Sequence, residues 1–299
     1  MNYSKTQIRS EIWSIDVQED VDHVNLAPLN RLPISEQLVS AVYTTVRTFE
    51  RSLGQTKYLV LNEHIQRLID SLVLENSSFE IKQENIYSGL SLLDRESKIR
   101  GDLRIKIIAA PNNQPLFFFI AEPLKTPNPE AYLNGVEVEL TSHMRMNPKA
   151  KSYEFSEIQD EIRSLFPPKT EEIIMVSTEG EILEGLSSNF YGIIDGCIHT
   201  AEREVLSGIT RKIVLEIAIE NFIPLAMNPI HLAQIDDLSE CFITSTSRGI
   251  LPVVTIGDKK IGPGQPGPIT RRLMNLYDRR IASIVKPLYG FEESSSVSS

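Results

Sequence analysis

Four short stretches of this 299-residue chain carry residue types that do chemistry when brought together. Ser207-Gly208-Ile209-Thr210 opens an amphipathic run to Asn221, with Ile213, Val214, Ile217 and Ala218 on one side, which predicts a helix. A helix N-terminus offers unpaired N–H groups and a positive dipole end; Gly208 lets an anion approach the backbone, and Thr210 adds a hydroxyl. Thr244-Ser245-Thr246-Ser247 ends a strand with four more hydroxyls. Glu184-Gly185-Leu-Ser187-Ser188-Asn189 sets a carboxylate in a tight polar corner between two strands. Met144-Arg-Met-Asn-Pro-Lys149-Ala-Lys151-Ser-Tyr-Glu154 supplies two amines. Taken singly, these are a helix cap, a turn, a solvated corner and surface lysines.

Other chemistries find no anchor. Gly262-Pro-Gly264-Gln-Pro-Gly267 matches the dinucleotide fingerprint formally, but prolines stand between the glycines and no βαβ unit follows, so it reads as a rigid surface loop. The five histidines are scattered without metal-ligand spacing, and no Gly-x-Ser-x-Gly elbow occurs. The formal net charge of −10 argues against nucleic acid and against an anionic membrane surface. No apolar run approaches a membrane span, and the first residues lack a secretory core. Two cysteines, Cys197 and Cys241, make no disulfide framework and read as reduced thiols of a cytoplasmic protein.

The elements that must position these groups follow from pattern. Leu38–Phe49 reads as a strand, Arg51–Thr56 as a turn, and Lys57–Leu61 as a returning strand. Asn62–Leu74 reads as a helix capped by Asn62, with Ile65, Leu68, Ile69 and Leu72 at helical spacing. Leu103–Ala109 and Pro115–Ala121 read as strands. Ile173–Ser177, Phe190–Ile194 and Cys197–Thr200 follow, the last two joined by an Asp195-Gly196 hairpin turn. Phe242–Thr246 and Val253–Ile256 read as strands and Ile269–Ile281 as a last helix. The expected class is α+β, with a small domain over 1–122, a proline-rich linker over 123–135, a larger domain over 136–290 and a disordered tail over 291–299.

Glu184-Gly-x-Ser-Ser-Asn189, an Asp-Gly hairpin and Leu206-x-Gly-Ile-Thr-Arg211 together resemble the class IV (fold type IV) pyridoxal-phosphate aminotransferases. That group includes D-amino-acid aminotransferases, branched-chain aminotransferases and aminodeoxychorismate lyases. Leu61-Asn-Glu-His64-Ile-Gln-Arg67-Leu68 upstream and Phe242-Ile-Thr-Ser-Thr-Ser downstream are similar to its other segments, in the right order. The resemblance implies a two-domain enzyme of amino-acid metabolism, a smaller α/β domain before a larger one with a barrel-like mixed sheet. It also implies pyridoxal 5′-phosphate, a site between the domains and a homodimer.

Residue by residue, the resemblance gives Lys151 the cofactor aldehyde as a Schiff base, with Lys149 as competitor. Glu184 pairs with the pyridine nitrogen. Arg67 binds the phosphate, with Gly208, the Ile209 and Thr210 N–H groups, Ser245 and Thr246. Leu206 packs on the ring, and Tyr43 lines the substrate side. A carboxylate at the ring nitrogen keeps it protonated and electron-accepting. A guanidinium and a helix N-terminus suit a phosphate. A lysine released by an incoming amine is a mobile base. Glu154 departs from the family, which usually has Asn there.

Arg47, Arg104, Arg145 and Arg248 are candidate binders of a substrate carboxylate, with Ser247 beside Arg248. The expected reaction is amino transfer between an amino acid and a 2-oxo acid. The alternatives are β-elimination releasing pyruvate, and a member that has lost catalysis and serves as a binding protein. Substrate chirality stays open.

Overall fold

The computed structural model describes residues 10–17, 24–31, 38, 40–77, 81–111 and 117–288. They form two compact units. One takes in the described residues of 1–125, with 150–154 and 284–288; the other comprises 126–149 and 155–283. The segment carrying Lys151 therefore belongs with the first unit, although it follows the start of the second in the chain.

The first unit holds strands β1 (Glu11–Val17), β2 (Val24–Leu29), β3 (Val42–Phe49), β4 (Lys57–Leu59), helices α1 (Leu61–Leu74) and α2 (Gln83–Glu96), and strands β5 (Leu103–Ala109) and β6 (Phe117–Pro123). With β17 (Val285–Pro287) they make one antiparallel sheet in the order β17-β4-β3-β5-β6-β1-β2. One core joins Val42, Val46, Ile105, Ile107 and Phe119 of the strands to Leu61, Ile65, Leu68, Ile86, Leu90 and Leu93 of the two helices. A smaller cluster holds Tyr43, Ile108 and Phe118 with Tyr153. The alternation of Tyr43 with Val42 and Thr44 separates these two sets, as pleating requires.

Helix α1 starts one residue before the expected Asn62. Its cap is Val60, in a left-handed conformation (φ 38°) and without a side-chain cap bond. Asn62 lies inside the helix and accepts from the Tyr87 hydroxyl at 2.6 Å, tying α1 to α2.

The second unit adds α3 (Pro129–Asn134), β7 (Val136–Thr141), α4 (Tyr153–Ser164, from Phe155 on), β8 (Glu172–Val176), β9 (Glu181–Gly185), β10 (Asn189–Ile194) and β11 (Cys197–His199). Then come α5 (Ile209–Glu220), β12 (Leu225–Ala226), β13 (Ile230–His231), β14 (Glu240–Ser245), β15 (Gly249–Ile256), β16 (Lys259–Lys260) and α6 (Pro268–Ile284). Six strands close on themselves in the order β10-β14-β15-β7-β8-β9, because Glu184 of β9 pairs with Asn189 of β10. Val138, Ile174, Ile182, Phe190, Ile243 and Leu251, one from each of the six, pack in one cluster. A barrel this small is filled by its own side chains. Within the six barrel strands the pairings of β7 with β8 and β15 are parallel and the others antiparallel, so the sheet is mixed.

One expectation differs in detail. The stretch read as linker contains α3, capped by the Asn128 side chain with Pro129 at its first position. The tail read as disordered, and Pro115 with Asn112 and Asn113 before it, lie outside the described residues. Among the described residues no helix is long and apolar enough to cross a membrane. None of their His, Cys, Asp and Glu side chains form a group of three or more that could hold a metal.

Candidate active site

Lys151 is held by its own peptide groups. Its carbonyl accepts from the Tyr43 N–H at 2.9 Å, and Tyr153 N–H donates to the Ala41 carbonyl at 2.8 Å. Val42 and Ser152 form a bridge between these bonds, so the lysine segment runs as a short strap along β3. On the other side, Lys151 N–H donates to Ser71 Oγ at 3.2 Å, and Ser71 donates in turn to the Arg67 carbonyl on α1. The strap places the Lys151 ammonium 4.5 Å from the centroid of the Tyr43 ring.

Arg67 lies three residues beyond His64, so both are on one face of α1. Arg67 Nη2 donates to Thr44 Oγ1 at 2.8 Å, and Thr44 Oγ1 meets His64 Nδ1 at 3.1 Å. Thr44 and His64 are fully buried. Burial first, then Arg67 and Lys151, hold the His64 pKa well below its ordinary value, so this imidazole is neutral. The first unit thus gathers a guanidinium and an amine around a neutral histidine. That donor set suits an anion carrying an aldehyde.

In the second unit, Glu184 is 2 % exposed. One carboxylate oxygen accepts from Asn189 Nδ2 at 3.1 Å and from the Leu206 N–H at 3.0 Å. The other lies 3.4 Å from Arg145 Nη2. Asn189 also donates to the Leu206 carbonyl at 2.9 Å. The Arg145 guanidinium stacks 4.3 Å over Phe155, and its buried Nε has no hydrogen-bond partner. Gly208 caps α5 with extended geometry, and a Cβ there would collide with Asn189 Oδ1. Ile209 and Thr210 are buried in the first turn of α5. Asn189 therefore connects the carboxylate, Leu206 and the start of that helix. The sequence motif contains Asn189, but its linking role was not read from it.

Ser245 ends β14, Thr246, Ser247 and Arg248 form the turn to β15, and Gly249, which opens β15, takes φ +64°. Arg248 is committed within it. Its Nε donates to Ser245 Oγ at 3.1 Å, and it pairs with Glu171 at 3.2 Å and the buried Glu172 at 2.7 Å. Burial opposes ionising Glu172, yet Arg248, Arg163 and the Ser187 hydroxyl hold its pKa at about 2. Arg104 pairs with Glu122 at 2.6 Å, and Arg47 stacks on Phe49 at 4.3 Å. Lys149 is exposed in the second unit and donates to the Glu202 carbonyl at 3.1 Å. Glu154 is exposed in the first turn of α4, where a carboxylate complements the helix dipole.

Residues 41–256 match the family model of amino-transferase class IV. The chain therefore belongs to the class IV aminotransferases, a family of pyridoxal-phosphate-dependent transferases. It is 24% identical over 262 residues to the branched-chain-amino-acid aminotransferase of Pseudomonas aeruginosa, covering 79% of this chain and 82% of that one. It is 30% identical over 154 residues to a D-alanine aminotransferase of Staphylococcus aureus, covering 50% and 53%. The fold is shared with a branched-chain aminotransferase of the thermophilic archaeon Thermoproteus uzoniensis, solved with norvaline. That likeness has a TM-score of 0.74 and 21% identity, over 93% of this chain and 99% of that one. The expected α+β, two-domain fold type IV architecture is the one found.

Proposed function

We propose that this chain binds pyridoxal 5′-phosphate through Lys151 and uses it to move an amino group between an amino acid and a 2-oxo acid. The observation that carries the reading is the strap. It fixes Lys151 by main-chain bonds to the strand of Tyr43 and through Ser71 to the helix of Arg67. Lys149 sits exposed on a carbonyl instead, which supports Lys151 as the amine that takes the aldehyde.

When bound, the group supplies an electron sink that stabilises a carbanion at Cα. The chain's residues do the rest. Arg67 binds the phosphate, with the Ile209 and Thr210 N–H groups, Gly208, Ser245 and Thr246. Glu184 holds the proton at the pyridine nitrogen, oriented by Asn189 and opposed by Arg145. Leu206 packs on the ring. Lys151 would move the proton at Cα. Tyr43 walls the substrate side, and Arg47, Arg104, Ser247 and Arg248 are the residues the sequence offers a substrate. A homodimer belongs to the same reading.

The test is the visible spectrum of the purified protein, followed by borohydride reduction and peptide mapping. A yellow protein carrying the pyridoxyl mass on Lys151, bleached by an amino acid and restored by 2-oxoglutarate, is expected. Pyruvate released without an oxo-acid acceptor would make it a lyase. A protein that stays colourless and unlabelled with added cofactor would sink the reading.

A further inference from the structure

Arg67 carries its guanidinium on a long, flexible side chain, and something has to aim it. Thr44 of β3 is the contact that does so: Arg67 Nη2 donates to Thr44 Oγ1 at 2.8 Å. A hydroxyl is a rotor that shows a neighbour either its proton or a lone pair, whereas a guanidinium only donates. The contact therefore holds only while the Thr44 proton points elsewhere. The acceptor for that proton is His64 Nδ1, at 3.1 Å. Arg67 Nη2 itself comes within 3.5 Å of the same nitrogen.

Two donors thus converge on His64 Nδ1, which has to offer them a lone pair. Thr44 and His64 are 0% and 1% exposed, and burial, with the charges of Arg67 and Lys151, keeps the ring neutral. A neutral imidazole with a bare Nδ1 carries its proton on Nε2. Proton on Nδ1 would reverse the relay and turn the Thr44 hydroxyl proton toward the guanidinium. The residue before Thr44 holds the other end of the arrangement, since Tyr43 N–H donates to the Lys151 carbonyl at 2.9 Å. Neighbouring residues of one strand therefore fix both the lysine segment and the arginine. A cofactor whose aldehyde and phosphate are a set distance apart needs both fixed.

We infer that His64 is a positioning residue for the phosphate of the cofactor: its bare Nδ1 takes the Thr44 proton and so turns toward Arg67 the lone pair that aims the guanidinium. This role rests on the cofactor reading above. Aiming the guanidinium before the phosphate arrives lowers the ordering cost of binding it.

The experiment uses the full chain, freed of cofactor by dialysis, and its Thr44→Val, His64→Leu and His64→Asn variants. Each is titrated with pyridoxal phosphate and with pyridoxal, which lacks the phosphate, and dissociation constants are read from the visible band. Thr44→Val and His64→Leu are each expected to bind pyridoxal phosphate about tenfold more weakly and pyridoxal as the wild type does. The double variant is expected to be no worse than either single one, because the two groups act in series. His64→Asn, whose side-chain oxygen replaces Nδ1 as acceptor, is expected to recover most of the loss. Nitrogen NMR of histidine-labelled wild type, assigned by the signal that His64→Asn removes, is expected to show the Nε2–H form. Equal weakening toward both ligands would make the relay a structural support and overturn the inference, as would no weakening or an Nδ1–H ring. A wild type that binds both ligands equally tightly overturns the phosphate role of Arg67, and this inference with it. One that binds neither overturns the whole cofactor reading, and both results are seen before any variant is compared.

Discussion

Arg145 and Glu184 face each other at 3.4 Å inside the second unit, with side chains 4% and 2% exposed. Burying one of them alone costs several kcal/mol, so each makes the other tolerable. The pair lets a carboxylate stand in an apolar setting, backed by Asn189 and the Leu206 N–H. Arg145→Met leaves that carboxylate without its counter-charge and is expected to destabilise the protein by about 3 kcal/mol. Glu184→Gln on the same background is expected to recover part of the loss. A urea double-mutant cycle with a coupling energy near zero would show that the two groups do not support each other.

The strap predicts the outcome of swapping lysines. Lys151→Ala is expected to remove the borohydride-stable label while keeping the thermal midpoint within a few degrees, because main-chain bonds hold the segment. Lys149→Ala is expected to keep the label. A mass shift that follows Lys149 would reverse the assignment.

Gly208 is argued from space. A methyl group there meets Asn189 Oδ1, and Asn189 holds both Glu184 and Leu206. Gly208→Ala is expected to cost about 1–3 kcal/mol and to weaken cofactor binding at least about tenfold. The exposed neighbour Ser207 serves as control: Ser207→Ala should change neither unfolding nor cofactor titration.

Two buried groups set separate acid limits. His64 is neutral in the fold, its pKa well below 6.5, so the unfolded chain binds more protons below that value. Its contribution is whole above about pH 6.5 and is lost as the pH falls below it. Glu172 is depressed from 4.5 to about 2, so its contribution is whole above about pH 4.5 and is lost as the pH falls through about 2. That shift corresponds to about 3 kcal/mol. Unfolding free energies measured from pH 8 to pH 3 should decline in two stages, and Glu172→Gln should flatten only the lower one. A single stage, unmoved by that variant, would contradict the assignment.

Much of this architecture was legible as pattern. Strand Leu103–Ala109 begins and ends where alternation and β-branching place it, and α1 follows its apolar spacing. Helix α2 was missed although Ile86, Leu90 and Leu93 keep helical spacing. Gly89 in its middle looks like a breaker. Its reason is tertiary, since a Cβ there would press on Ile15 and Phe119. Helix α4 is crowded with Glu154, Glu157, Asp160 and Glu161, which hide the few apolar residues that seat it. Motif residues near one another in the chain suggested the candidate site, whereas the Arg145–Glu184 pair joins distant segments. Nothing local to a segment names its partner across the sheet.

The five residues at 150–154 also decide how this protein can be divided. A break in the proline-bearing stretch after Glu122, where composition suggests a seam, would release an N-terminal piece with Tyr43, Arg67 and nearly all of its sheet, but without Lys151. The C-terminal piece would carry Lys151 without β3 for its segment to lie along. On the proposed role of Lys151, two genes cut there would encode two silent proteins, and activity regained on mixing them would require Ala150–Glu154 of one to dock on β3 of the other.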